Sequence, residues 1–357
     1  MTAIRPRDLL SDSLLECLGG TAAPAGAQPD VLAADIARLA EAGYLNVALP
    51  REFGGLGCTL RQAACGQRRL ARHAPRTALA VSAHLYWTGA AADACRAGDD
   101  SVRWILLEAA RGALFAGGHG RTLGPDSGTP GEIGGDLRFA DPRSRCEPAG
   151  EGSYQFADQG VLSTATPGWD WVAVHGVHQA ARPQSVIAFA GRDTRCSPAF
   201  RVARVQSAGA PGDVFLASAL TWGHSILASV QYSDARRAFN AALTACAETA
   251  AAAFAADLSA PRRPTVADRL VPAPASPPAP GRWPVAEAGT LLDAMKARIA
   301  DVTHPWQLIQ GQQPDVGGQH LIGLYAMRHE VAEGAARVHD LVAQITGTPA
   351  PARPLVP

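Results

Sequence analysis

The segment Tyr44–Leu60, YLNVALPREFGGLGCTL, constrains the fold most, because one helical pattern ends just before it and another begins just after. Pro50 fixes its own φ and pushes Leu49 towards extended geometry, while Gly54, Gly55 and Gly57 admit backbone angles or close approaches that a Cβ would block. Such a link is built to shape. Upstream, Asp30 is placed to cap a helix running to Arg38 and beyond, with Leu32, Ile36 and Leu39 on one face and Gly43 to end it. Downstream, Thr59 reads as the N-cap of a helix through Leu70. The nearly apolar run Thr77–Ala92 predicts a helix buried on most sides. Val102–Arg111 continues the pattern, so residues 1–115 read as an all-α domain.

The texture changes after that. Residues 117–152 are rich in Gly, Pro, Asp and Ser, and they lead into Tyr154–Phe156, Trp171–Val174 and Ser185–Ala190, short β-prone runs separated by turn residues. Residues 116–222 therefore predict a small β domain. Ala-rich helix returns over Ile226–Leu258, followed by a Pro/Ala-rich loop over 259–284 that cannot be regular structure. Helices over Val285–Val302 and Gly318–Ile345 complete a C-terminal helical domain, 223–357. The fold class is α+β multidomain, in the order α, β, α.

Composition excludes several functions. Lys plus Arg and Asp plus Glu both count 32, with no long basic stripe, so nucleic acid is not an expected partner. No window reaches about 18 uncharged apolar residues, so no membrane span is expected. Arg5, Pro6, Arg7 and Asp8 interrupt any apolar leader, and the expected location is the cytoplasm. Seven cysteines without a C-x-x-C pair read as reduced, buried small residues. His304, His320, His329 and His339 show no metal-ligand spacing.

The helix ending at Gly43, the GY-x5-LP-x-EFGGLG string, the small-residue helix with Ala83-His84, and the α, β, α order together resemble the acyl-CoA dehydrogenase superfamily. The resemblance is strongest over Asp30–Gly89, extends to Tyr154–Trp171 and fades after Ala235. It implies an N-terminal helical domain, a middle β-barrel-like domain and a C-terminal helical bundle, with FAD, or FMN, bound between them. A flavin performs the redox chemistry itself, so the protein need only hold the ring, tune it and place the substrate.

The same resemblance assigns residues. In Tyr154–Trp171, Ser163 and Thr164 fall where relatives offer a backbone group and a hydroxyl to the flavin, although Asp158, Gly160 and Leu162 replace the usual Gly, Lys and aromatic. In Gly117–Gly128, Ser127 and Gly128 would cradle a phosphate through backbone N–H groups, or else form a plain surface loop, and the usual Glu is absent. Arg262 and Arg263 fall where relatives aim an Arg at cofactor phosphates, against the alternative of a solvated charge pair. His84 is the candidate for hydrogen bonding at an oxygen-activating flavin; the competing reading is a core histidine satisfied by backbone. His119 and His224 are secondary candidates.

A dehydrogenase requires a carboxylate to remove the α-proton of a thioester. Relatives carry it on the first helix of the C-terminal bundle or near the bundle's end. Here the first region, Trp222–Gln231, has no carboxylate, and after Gly347 the sequence turns to Pro349, Pro351 and Pro354. Two expectations follow. One is a flavin-dependent oxidoreductase acting on an acyl-CoA or other acyl thioester, or as a monooxygenase on a small organic substrate. The other is a catalytically lapsed chain, its flavin lost, that serves as structural partner of an active homologue. The superfamily implies a homo-oligomer, or a hetero-oligomer with a homologous chain.

Overall fold

The computed structural model describes residues 6–18, 28–117, 145–150, 153–156, 167–192, 201–207, 213–259, 282–309 and 318–348. Two short helices, α1 (Pro6–Leu9) and α2 (Asp12–Glu16), precede α3 (Gln28–Glu41), α4 (Leu60–His73), α5 (Pro75–Arg96) and α6 (Arg103–Ala110). Asp30 lies in the first turn of α3 rather than at its cap, where a carboxylate favours the helix dipole. Gly43, at φ +75°, follows that helix in left-handed geometry. Thr59 caps α4 in a full capping box: its hydroxyl accepts from Gln62 N–H, and the Gln62 side chain accepts from Thr59 N–H.

The Tyr44–Leu60 link folds as two 3-10 turns, Tyr44–Asn46 and Arg51–Phe53. A Cβ on Gly55 would stand 2.1 Å from Leu49 O and 2.5 Å from Asn46 O, both backbone atoms, so only glycine fits. Tyr44 anchors the link: its buried hydroxyl donates to Gln67 Oε1 at 3.1 Å, and Gln67 donates on to Ala78 O and Ser82 Oγ.

The middle region holds β1 (Phe115–Ala116), β2 (Cys146–Gly150), β3 (Ser153–Phe156), β4 (Trp171–His178), β5 (Gln184–Gly191) and β6 (Arg201–Ser207). The sheet order is β1-β4-β5-β6, with β1 parallel to β4 and the other pairs antiparallel, and β2-β3 form a separate hairpin. Sequence periodicity finds β3, β4 and β5 but not β1, β2 or β6. Among the described residues the sheet is open, with β1 and β6 at its edges, and no barrel-like closure is seen.

Three long helices follow: α7 (Val214–Ser259), α8 (Arg282–Ile309) and α9 (Gly318–Thr346). The start of α7 precedes the expected Ile226. Thr221 meets His320 and Cys246 meets Ile345, so α7 and α9 run parallel. Arg298–Glu330 and Arg337–Glu287 show α8 antiparallel to α9. In its first half α7 is buried nearly all round because it serves two cores. Trp222, Ile226 and Val230 join the N-terminal helices and one sheet face, while Ala228, Tyr232 and Ala235 join α8 and α9.

Arg204 on β6 ties the three regions together, donating to Asp99 beyond α5 and forming an ion pair with Asp213 before α7 at 3.0 Å. Cys58 and Cys146 are buried as expected, but Cys17 and Cys65 are exposed and Cys95 and Cys246 half-buried. Among the described residues no helix is long and apolar enough to cross a membrane, and no metal-binding cluster of His, Cys, Asp and Glu occurs.

Candidate functional site

The N-terminal helices, the sheet and the bundle meet around α5, which is buried along most of its length. His84 lies on it with both ring nitrogens engaged. Its Nδ1 accepts from Phe115 N–H at 3.2 Å, and because an amide can only donate, the proton must sit on Nε2, which donates to Leu45 O at 3.0 Å. Burial pushes its pKa down to about 4, against the smaller opposing effects of the Leu45 bond and Asp170. His84 is therefore a neutral staple joining the glycine link, α5 and β1.

Asp170 organises the next layer. Its Oδ2 accepts from Leu114 N–H at 2.8 Å, its own N–H donates to Leu114 O at 2.8 Å, and its carbonyl accepts from Arg192 N–H at 2.9 Å. One residue thus holds the start of β1, the start of β4 and the end of β5. Aromatic side chains fill the space towards α5: Trp87 packs edge-on to Phe189 at 5.0 Å, and Trp104 to Trp171 at 5.3 Å. The Arg201 guanidinium lies 3.9 Å from the Trp104 ring centre.

Asp93, near the end of α5, gathers the bundle. Its Oδ2 accepts from Trp222 Nε1 at 2.8 Å, Trp306 Nε1 at 3.0 Å and Ser218 Oγ at 3.2 Å, while Oδ1 accepts from Arg96 at 2.6 Å. Trp222 sits this close to α5 because Gly89 faces it; a Cβ there would stand 2.4 Å from the indole. Trp306 stacks on His320 at 5.0 Å. Thr221 donates to Ala217 O at 2.7 Å and so accepts from His320 Nε2–H at 2.9 Å.

The stretch Trp222–Gln231 of α7 carries buried polar side chains with unsatisfied atoms. Neither ring nitrogen of His224 has a hydrogen-bond partner, and the hydroxyls of Ser225, Ser229 and, one turn on, Ser233 have none. The serines can turn to the carbonyl four residues back, as Thr221 does, but the His224 ring has no such local recourse. Burial, with Arg328 as a second cause, pushes the His224 pKa down to about 3.

The structure brings His84 and His224 into the interior on separate helices. Ser127, Ser163, Thr164, Arg262, Arg263 and His119 lie outside the described residues. In chain order, the segment with Ser127 leaves β1 and the segment with Ser163 and Thr164 enters β4, so both attach to the strand pair that Asp170 clamps. Sequence reasoning missed Asp93 and Asp170. Asp93 carried a usable signal, a lone acid closing the apolar run from Thr77, whereas Asp170 stood in a Gly-Trp-Asp-Trp turn that gave none.

No protein-family model and no curated protein sequence matches the chain. Solved structures do. A nitrososynthase from Micromonospora carbonacea var. africana aligns over 96% of this chain and 86% of its own at 18% identity, with a TM-score of 0.64. KijD3, solved with FMN and a dTDP-linked amino-keto sugar, aligns over 97% and 84% at 19% identity and TM-score 0.67. A 3-HSA hydroxylase from Rhodococcus sp. RHA1 aligns over 99% and 88% at 14% identity and TM-score 0.64.

The chain shares the fold of these solved structures, in keeping with the resemblance to acyl-CoA dehydrogenases seen in its sequence. The helix α7 is the first of the three long C-terminal helices, and its stretch 222–231 presents Trp222, His224, Ser225, Ser229 and Gln231 and no carboxylate.

Proposed function

We propose that this chain is a flavin-dependent oxidoreductase of the oxygen-using kind, acting on a small organic substrate rather than removing an α-proton from an acyl thioester. The observation that carries the reading is the chemistry of α7. Where a dehydrogenase needs a carboxylate base, this helix offers a neutral imidazole and hydroxyls whose buried polar atoms lack partners. Orphaned buried polar atoms at that position fit a ligand with a polar edge, as a flavin has. The FMN held by KijD3 supports the same reading.

A bound flavin, FMN or FAD, would supply the redox chemistry. Ser163 and Thr164 would hold its ring edge, Ser127 would meet a phosphate through backbone N–H groups, and Arg263 would neutralise phosphate charge. Asp170 would keep the β1–β4 pair, to which two of those segments attach, in register. His84, committed at both nitrogens, acts through position and not by proton transfer.

Visible absorbance of the purified protein, before and after incubation with FMN or FAD and gel filtration, tests the reading. Bands near about 370 and 450 nm, values set by the flavin itself, are expected. Reduced flavin from a reductase should then drive oxygen consumption, and acyl-CoA should not bleach the bound flavin. A protein that takes up neither flavin overturns this reading. It would leave the flavin-free structural partner of an active homologue, an alternative that the backbone-satisfied His84 favours.

A further inference from the structure

A seam of polar side chains runs between the parallel helices α7 and α9. His224 is 2% exposed, its ring edge-on to Tyr325 at 5.2 Å, and neither nitrogen is bonded. Arg328, one turn beyond Tyr325, donates to Gln231 Oε1 on α7 and is the charged group that acts on His224. Tyr325 is 43% exposed, so the seam reaches the surface along that ring.

A buried imidazole with both nitrogens unpaired is unfavourable unless something else completes it. A cation is disfavoured, because Arg328 already acts on His224 as a positive charge. A neutral group would satisfy one nitrogen without answering the positive charge that acts on the ring. An oxyanion answers both features at once: it accepts from Arg328 and from an imidazole N–H, and its charge favours a second proton on the ring. We propose that His224 and Arg328, beside Tyr325 and Gln231, form a binding site for an oxyanion, either inorganic or carried as a carboxylate on an organic ligand. Entry of the anion protonates His224, so binding and proton uptake are coupled.

The site shares His224 with the flavin reading but does not rest on that reading, and its test uses flavin-free full-length protein labelled with 13C-histidine. Sulfate, which keeps its charge across the range, and benzoate are the two probes. His224 ring signals are followed from about pH 8 to about pH 5, bracketing the ordinary histidine range. Both probes, or one of them, should move the His224 signals and raise its pKa. Affinity should strengthen as pH falls, by about tenfold at the acid end of that range once the His224 pKa in the complex lies about one unit above it. Sulfate acting alone identifies a free inorganic oxyanion; tighter binding of benzoate identifies a carboxylate-bearing organic ligand, with Tyr325 packing on its ring. Arg328→Gln should abolish binding, and His224→Asn should retain weaker binding that no longer varies with pH. His224 signals unmoved by saturating sulfate and benzoate overturn the proposal, and so does pH-dependent binding that survives in His224→Asn. The wild-type titration decides the matter even where a variant fails to fold.

Discussion

At the scale of single residues, the chain keeps neutral histidines inside. His84 illustrates the cost: with a pKa of about 4 in place of 6.5, it leaves the unfolded chain holding more protons between those values. Its contribution to stability is therefore complete above about pH 6.5 and is lost as pH falls towards 4, by roughly 3 kcal/mol in the limit. His175 and His224 shift in the same direction, to about 4 and about 3, and deepen the loss. Urea unfolding from neutral to acidic pH should show the midpoint falling across this window; a flat profile would contradict the burial of all three. His84→Ala should lower stability at pH 7 by about 2–4 kcal/mol, because Leu45 O and Phe115 N–H each lose a buried partner. It should also remove most of the pH slope assigned to this residue.

At the scale of elements, glycines set how closely segments approach. Gly55→Ala forces a methyl into two backbone carbonyls that cannot move independently, and Gly89→Ala drives one into the buried Trp222 ring. Each should cost at least about 1–3 kcal/mol, the usual penalty of overpacking, read as a drop in Tm. Gly289→Ala on α8, with open space around it, should be neutral or slightly stabilising and serves as the control. These elements also show what a sequence can disclose. The link, α4 with its capping box and the apolar α5 were legible because local rules of capping, glycine geometry and helical periodicity determine them. The early start of α7 was not, since its first turns are apolar on all sides and give no period to read. Strand β1, two residues long, exists only through its pairing with β4 and the Asp170 clamp. The His224 seam was invisible for a related reason: it depends on a parallel contact between helices about 100 residues apart, which no local pattern encodes.

At the scale of the whole molecule, a few buried polar contacts hold three regions in one frame. Asp93 joins α5 to α7 and α8, and Arg204 joins β6 to the residues flanking α5 and α7. Asp93→Ala would strand two indole N–H groups, the Ser218 hydroxyl and Arg96, and should lower stability by about 3–5 kcal/mol. It should also split the unfolding of the N-terminal helices from that of the bundle, seen as non-coincident circular dichroism and fluorescence transitions. One coincident transition in the variant would show that apolar packing alone couples the regions. The carboxylate that fastens these regions is bonded to the Trp222 and Trp306 indoles, whose emission depends on local charge and hydration. The protein thus carries its own optical gauge of domain contact. Any ligand, partner or solvent condition that eases α5 away from the bundle should announce itself as a shift in intrinsic tryptophan emission, with no label attached.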